Sequence, residues 1–502
     1  MADDASHGVA TRTLRGMAWA YGSYVGGKLL VLLSTAILAR VLTPEEFGLV
    51  ALALTFMALL EGVSDLGLSG ALVIQRVEVL HERAETVFVS TIAMGLVLSL
   101  AIVALSPLAE AFFGEPGLAG LTAVLGANFF LRSLGATHYA LAMKGLNFRA
   151  RTVAEVAGVI ARGLTGIALA LAGFGAWSLV IGYLVGTLAL DVAIWAMVPW
   201  RPKLEPRREH FGEMVRFGGT LSGVDVVTAL TTNADYAFIG RVLGATALGL
   251  YTLGFRLPEL LIINISVVAS HVLFPAFTIV DPDSLGHAFL TSLRYTVMIG
   301  LLLATGLAIL AEPLIVITFG DQWLGSVTAM QILTVYALGI TIGIPAGTAY
   351  KATGRAGVLL ILGIVRFAAL VTGLLLFTDL GINAVATCQA TVAGLAAVVG
   401  LGLASRLLAV GLAPILREIW PSVVAAGVMA AALIGVDQVV HGDLPVLLAG
   451  AGAGAGAYLG TVWVVRPDWI RYLRTRLLAR PEVPEPPPAG ELEPTRETDV
   501  IA

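Results

Sequence analysis

Apolar residues in this chain come in long uninterrupted runs rather than alternating with polar ones. Fourteen runs lie at roughly 14–39, 44–70, 86–110, 117–141, 152–173, 175–198, 214–239, 247–277, 289–310, 325–349, 356–377, 382–405, 418–437 and 444–465. A helix rises about 1.5 Å per residue, so about 20 apolar residues cross the hydrocarbon core of a bilayer. Each run is therefore predicted to be a transmembrane helix, and the chain an all-α polytopic membrane protein with about 14 of them. The connections are short and punctuated by Gly and Pro, as at Thr43-Pro44, Gly114-Glu115-Pro116 and Gly173-Phe174-Gly175. The run from Met17 to Ala39 is too long for a cleaved signal peptide and is taken as the first span.

The runs also repeat. RVLTPEEFGLV (40–50) returns as RVLGATALGLY (241–251), which puts Arg40 on Arg241 and Gly48 on Gly249. Arg15 falls on Arg216 at the same offset. PLAEAFFG (107–114) returns as PLIVITFG (313–320), and Arg151 and Arg162 return as Arg355 and Arg366. Echoes in one order with small drift predict an internal duplication. The expected organisation is a six-helix lobe over 1–198, a linker over 199–213 and a second, pseudo-symmetric lobe over 214–405. Two C-terminal helices follow in 406–466, then a basic stretch and a disordered tail in 467–502. An even number of spans per repeat implies an axis along the membrane normal.

Composition reinforces the membrane assignment. Of 502 residues, 58% are hydrophobic and 13% charged, and mean hydropathy is +0.90. Soluble domains carry about 25% charged residues. One cysteine, Cys388, excludes a disulfide framework and a cysteine-rich metal site. Neither a phosphate-loop GxxxxGK[ST], a zinc-binding HExxH nor a GxSxG elbow occurs, so no cofactor, metal or catalytic residue is expected. Nothing points to nucleic acid.

Charge placement orients the chain. With a cytoplasmic N-terminus, 23 of the 30 basic residues fall on the inner side and two, Arg40 and Arg241, on the outer side. That asymmetry predicts both termini in the cytoplasm. The linker segment 200–216 and the stretch 469–480 carry basic residues suited to anionic lipid headgroups. The tail beyond Arg480 is rich in Pro and Glu, with little to bury.

The remaining five cations lie inside spans: Lys28, Arg132, Arg162, Arg256 and Arg366. Each costs about 2.5–3.5 kcal/mol near the bilayer centre unless it meets water or a partner. They share helical faces with other polar residues. Tyr21, Tyr24, Lys28 and Thr35 align on one span; Asn128, Arg132 and Tyr139 on another; Asp225, Thr228, Thr232 and Asp235 on a third. These stripes predict a hydrated cavity between the lobes, with Lys28, Arg132, Arg162, Asn128 and Tyr24 as substrate-binding candidates for an anionic ligand. Asp225 and Asp235 are candidates for coupling to an ion gradient. Structural readings stand beside these. Glu61 and Asp65 suit neutralisation of a neighbouring Arg, Arg256 and Glu259 an internal ion pair, Asp235 a local stabiliser, and His138 and His271 a packing role.

ARVLTPEEFGLVALAL (39–54), SDLGLSGALVIQR (64–76), LNFRARTVAE (146–155), NADYAFIGRVLGATALGLY (233–251) and FGDQW (319–323) resemble the polysaccharide flippase family. That family includes O-antigen, colanic acid and teichuronic acid repeat-unit flippases. It lies within the multidrug/oligosaccharidyl-lipid/polysaccharide exporter superfamily. The resemblance covers about residues 10–465. It implies a V-shaped transporter that moves an undecaprenyl-diphosphate-linked oligosaccharide across the bacterial inner membrane by alternating access, for lipopolysaccharide or exopolysaccharide synthesis. The cationic cavity it implies is carried onto Lys28, Arg132 and Arg162. Membrane lipids, a glycan polymerase and chain-length proteins are the implied partners. Two rival classes are a multidrug or cation antiporter of the same fold, which wants an acidic pocket, and an integral-membrane glycan polymerase or ligase. The latter class carries a large outer loop, and no outer loop here exceeds about fifteen residues.

The charge asymmetry makes a direct prediction. Reporter fusions after Arg208 and after Arg480 should both read cytoplasmic, and an external signal at either would mean a miscounted span.

Overall fold

The computed structural model describes residues 26–61, 72, 80–145, 147–203, 208–281 and 284–469. Tyr24, Arg12, Arg15, Asp65 and the 470–502 tail lie outside them. Among the described residues regular structure is helical, with no strand. The helices are α1 (26–41), α2 (Pro44–Glu61), α3 (Leu80–Phe113), α4 (Leu118–Lys144), α5 (Phe148–Leu171), α6 (Ala176–Met197), α7 (Arg208–Pro258), α8 (Asn264–Ile279) and α9 (Leu285–Ile309). They continue as α10 (Ala311–Thr318), α11 (Val327–Ala352), α12 (Ala356–Phe377), α13 (Ile382–Leu407), α14 (Leu412–Val439) and α15 (Asp443–Val465). Eleven described helical runs are long and apolar enough to cross a membrane. One of them, Ala229–Val267, carries the end of the seventh apolar run of the sequence and most of the eighth. It bends at Gly244, whose φ of 84° and ψ of 179° are open to glycine and costly for other residues. The α1 segment and α2 lie outside that set of eleven and match the first two apolar runs.

Local signals set the helix ends. Thr43-Pro44-Glu45-Glu46 is a capping box with proline at the first helical position. The Thr43 N–H donates to Glu46 Oε2 at 2.8 Å and the Glu46 N–H to Thr43 Oγ1 at 3.3 Å. Asn147 caps α5 through its side-chain oxygen, which accepts from the Ala150 N–H at 3.0 Å. Past Pro258 the chain makes a π-helical turn over Glu259–Ile263. Such a turn inserts one residue into the helical register and re-aims the side chains around it.

Packing joins the two halves of the chain directly. Leu52, Ala53, Ile102, Leu125, Ile239, Leu248, Tyr251 and Leu333 are buried in one cluster drawn from α2, α3, α4, α7 and α11. At its edge α2 crosses the segment of α7 beyond Gly244 at backbone contact. A Cβ on Gly48 would stand 1.7 Å from the carbonyl oxygen of Ala245, and one on Gly249 would stand 1.9 Å from that of Pro44. These are the two glycines that echo each other in sequence. The last two long helices dock on α9. The Tyr458 hydroxyl donates to the Met298 carbonyl at 2.8 Å, and Arg294 pairs with Glu418 at 2.7 Å. Trp469 is buried beside that pair, with the guanidiniums of Arg294 and Arg466 4.9 and 5.0 Å from its ring. Outward faces are apolar: Ile361, Val365, Leu375 and Leu376 are exposed on α12, as expected where the solvent is lipid.

The crossing generates a stability prediction. Gly48→Ala and Gly249→Ala should each destabilise the purified protein by about 1–3 kcal/mol, because the new methyl meets backbone that cannot rotate away. Gly427→Ala, where a Cβ meets nothing within 4 Å, should leave the melting temperature unchanged or slightly higher.

Candidate functional site

A chamber of about 1550 Å³ opens among α2, α7, the π turn that follows it, α11 and α12, with single contributions from α5, α6, α8 and α13. That exceeds the roughly 300–1,000 Å³ of ordinary small-ligand pockets. On α2 its wall begins at Ala51, three residues past the glycine crossing, and runs to Glu61. On α11 it runs from Leu333 to Lys351. The chamber is thus capped where Gly48 meets Ala245 and extends toward the opposite ends of both helices. A smaller cavity of about 170 Å³, walled by residues 31–38 of α1 and by α5, shares Arg162, Thr252 and Arg256 with it.

Charged groups line the chamber unevenly. Its cations are Arg162, Arg256, Lys351 and Arg366; its acids are Glu61, Asp235 and Glu259. The acids are engaged by protein. Glu61 pairs with Arg132 of α4, and Glu259 with Arg256 at 3.3 Å. Asp235 is buried and accepts hydrogen bonds from the Tyr251 hydroxyl at 2.8 Å and the Tyr236 N–H at 3.0 Å. Two of the cations rest on aromatic groups instead. The Arg162 guanidinium stands 4.4 Å from the Tyr183 ring centroid, and Arg366 donates to the Tyr336 hydroxyl at 3.4 Å. The buried Nε–H groups of Arg256 and Arg366 have no hydrogen-bond partner. At Arg162 the aromatic face attracts the guanidinium without using up its donors, whereas Arg366 spends one on the Tyr336 hydroxyl. The site therefore offers N–H donors and positive charge to an anion, while its carboxylates are already satisfied.

The sequence candidates separate in space. Arg162 and Asp235 line the chamber; among the described residues lining it, Lys28, Arg132 and Asn128 do not occur. Lys28 is half-buried near the start of the described part of α1. Arg132 faces α2 and meets Glu61, the neutralisation that residue's spacing allowed. Asn128 is buried and accepts from the Thr187 hydroxyl at 2.7 Å, tying α4 to α6. Asp225 lies on α7 where side chains are not described, and Tyr24 lies outside the described residues. His138 is buried and stacked on Trp195 at 4.1 Å, so it packs. Asp191, one turn from Trp195, is buried with its Oδ2 unpartnered, and only a glycine fits opposite it at position 135.

Sequence reasoning counted Arg256 and Arg366 among the in-span cations, but set Arg256 aside as half of an ion pair and gave Arg366 no binding role. It missed Lys351, which it placed in a loop, and Gln389 and the tyrosines, which read as ordinary span residues. The available signal was the offset itself: a candidate at Arg162 in one half points to Arg366 in the other.

Comparison with known proteins agrees with this architecture. The chain is 29% identical to the succinoglycan biosynthesis transport protein ExoT of Rhizobium meliloti over 368 residues, covering 72% of this chain and 73% of that one. It is 27% identical to the lipopolysaccharide biosynthesis protein WzxC of Escherichia coli, covering 68% and 70%, and 24% identical to the teichuronic acid biosynthesis protein TuaB of Bacillus subtilis, covering 73% and 78%. Its fold matches that of the lipid II flippase MurJ in an inward closed conformation. That match has a TM-score of 0.75 at 15% identity and covers 90% of this chain and 100% of that one. It also matches an inward-facing multidrug transporter of the MATE family in the MOP superfamily, with a TM-score of 0.62 at 19% identity over 76% and 94% of the two chains. A family model described as polysaccharide biosynthesis protein matches residues 37–328, more than half of the sequence, and the chain belongs to that family.

Proposed function

We propose that this protein is a flippase. It carries a prenyl-diphosphate-linked oligosaccharide from the inner to the outer leaflet of a bacterial cytoplasmic membrane, for surface or exported polysaccharide synthesis. Both termini then face the cytoplasm, and two six-span halves alternate access to the chamber. The observation that carries this reading is the division of labour in the chamber wall: paired carboxylates beside cations held on tyrosines. A diphosphate brings at least two negative charges that cannot enter lipid unaccompanied, and Arg162, Lys351 and Arg366 are the groups suited to accompany it, beside an Arg256 that Glu259 already pairs. Tyr183, Tyr236 and Tyr336 give the attached sugars both aromatic faces and hydroxyls. The prenyl tail stays in the bilayer.

Lys28 and Arg132 keep a place in the proposal only outside the chamber wall, Lys28 toward the smaller cavity's α1 side. Asp235 is the coupling candidate that lines the chamber; Asp225 lies ten residues earlier on the same helix. A glycan polymerase and chain-length proteins are the downstream partners this cargo requires. The activity is transport rather than catalysis. The antiporter alternative needs acids free to bind a cationic drug, and the three in the wall are engaged.

Charge-assisted hydrogen bonds contribute about 1.5–3 kcal/mol each. Arg162→Ala and Arg366→Ala should therefore each slow glycan export roughly ten- to a hundredfold at normal protein abundance. Arg366→Lys should be milder because it keeps the charge. Export at the wild-type rate in the double Ala variant overturns the assignment. A second expectation concerns Arg132. Because it faces Glu61, Arg132→Ala should lower abundance or thermal stability more than it lowers export per molecule, as measured by normalising export to membrane-inserted protein.

A further inference from the structure

One face of α6 carries Tyr183, Thr187, Asp191 and Trp195 at steps of four residues. Neighbouring helices answer three of them. The Tyr183 ring takes Arg162 of α5, the Thr187 hydroxyl donates to Asn128 of α4, and the Trp195 indole donates to the Leu134 carbonyl of α4 at 2.8 Å. Asp191 is the exception. It is 5% exposed, and its Oδ2 meets no hydrogen-bond donor. Its seat is cut into α4, where a Cβ on Gly135 would overlap Asp191 Oδ1. The fold makes room for this carboxyl without supplying the donors that a carboxylate needs. Three helices, α4, α5 and α2, pack against α6. On α4, Arg132 lies one turn from Gly135, and its charge reaches Asp191. His138, on the same helix, is stacked on Trp195, with its Nε2 3.1 Å from the Trp200 carbonyl. On α5, Arg162 rests on Tyr183, and Arg151 and Glu155 are joined through the Tyr139 hydroxyl. On α2, Glu61 holds Arg132. Just past α6, Arg201 donates to the carbonyls of Trp195, Val198 and Trp200.

We propose that Asp191 is a proton-binding site that sets the charge of the chamber wall, by deciding which carboxylate Arg132 holds. Glu61 lines the chamber and Asp191 does not, and Arg132 stands on α4, which packs against the helices of both. With a proton on Asp191 the buried carboxyl is neutral, Arg132 stays with Glu61, and that acid of the wall is cancelled. This is the pairing of Arg132 seen here. When the proton leaves, a negative charge is stranded among buried side chains, which is costly until a cation reaches it. Arg132 is the described cation whose charge already does. It can exchange, because it and Glu61 are both half exposed, and such a pair is weakly held and parts into water. Drawing Arg132 over to Asp191 leaves Glu61 uncompensated, and the wall becomes more negative by one charge. The sign follows directly. At low pH the wall favours an anion; as pH rises and Asp191 ionises, the wall repels it. Proton and anion therefore strengthen each other's binding by the same factor. That last consequence rests on the chamber's holding an anionic cargo; the proton site and the change in wall charge do not.

The rival is a packing carboxyl that never exchanges its proton. Infrared difference spectra of the purified protein separate the two. Between about pH 6 and about pH 9 a protonated-carboxyl band should vanish in the wild type and be missing throughout in Asp191→Asn. A band that persists across the range, or no band that Asp191→Asn removes, overturns the proton site. The wall charge is read separately and without any cargo. In a Cys388→Ser background, Ala58→Cys places one thiol on the chamber wall, one turn from Glu61. It is reacted at each pH with a trimethylammonium and with a sulfonate methanethiosulfonate, and the ratio of the two rates cancels the thiol's own titration. The ratio of cationic to anionic rate should rise severalfold with pH, and should stay flat once Asp191→Asn or Glu61→Gln is added. A flat ratio in the background, or an unchanged rise with Asp191→Asn, overturns the switch. If Ala58→Cys does not insert, Thr55→Cys, one turn further along the same wall, takes its place. A ratio that follows Asp191 in a protein that exports no glycan leaves the switch standing and removes the cargo assignment instead.

Discussion

A guanidinium in hydrocarbon must meet water or a partner, and much of this structure answers that requirement. Five basic residues lie inside spans, and at about 2.5–3.5 kcal/mol each they would together cancel the stability of an ordinary domain if they faced lipid. The helices are arranged so that three of them, Arg162, Arg256 and Arg366, look into one chamber, while Arg132 meets Glu61. The chamber's acids are turned to protein partners at the same time. Its electrostatic character therefore comes less from the count of charges, four cations against three acids, than from which of them are already satisfied.

The same constraint explains the backbone irregularities. Inside a membrane a helix gives up hydrogen bonds only where protein or water takes them over. The bend at Gly244 lies at the capped end of the chamber, where Glu115 accepts from the adjacent Ala245 N–H. The π turn after Pro258 lies on the chamber wall and carries Glu259 to Arg256.

The echoed segments give the crossing between the halves its form. When one segment type is present in both halves, the contact between halves can be made by a surface against its own copy, as at a two-fold dimer interface. Gly48 against Ala245 and Gly249 against Pro44 are such a pair, and so are Arg40 on the Ile317 carbonyl and Arg241 on the Phe112 ring. The match is approximate, since Arg40 finds a carbonyl where Arg241 finds a ring.

The sequence by itself determined the solvent, the helices and their order. Run length, capping residues such as Thr43 and Asn147, and the scarcity of charge are local properties that lipid enforces span by span. Echoed residues were legible for the same reason, and so was the ion pair at Arg256 and Glu259, which depends on a short spacing. Only the tertiary structure decided which polar faces share a space. Lys28, Arg132 and Arg162 look alike along the chain, each a cation on a polar helical stripe. Helix rotation and neighbour choice put Arg162 on the chamber wall, turned Arg132 to Glu61 and left Lys28 off that wall. Lys351 and Gln389 joined the wall from positions that gave no local sign of it. Helical periodicity tells which residues share a face, but which neighbour that face meets is set by packing between helices far apart in sequence, and no single span encodes it.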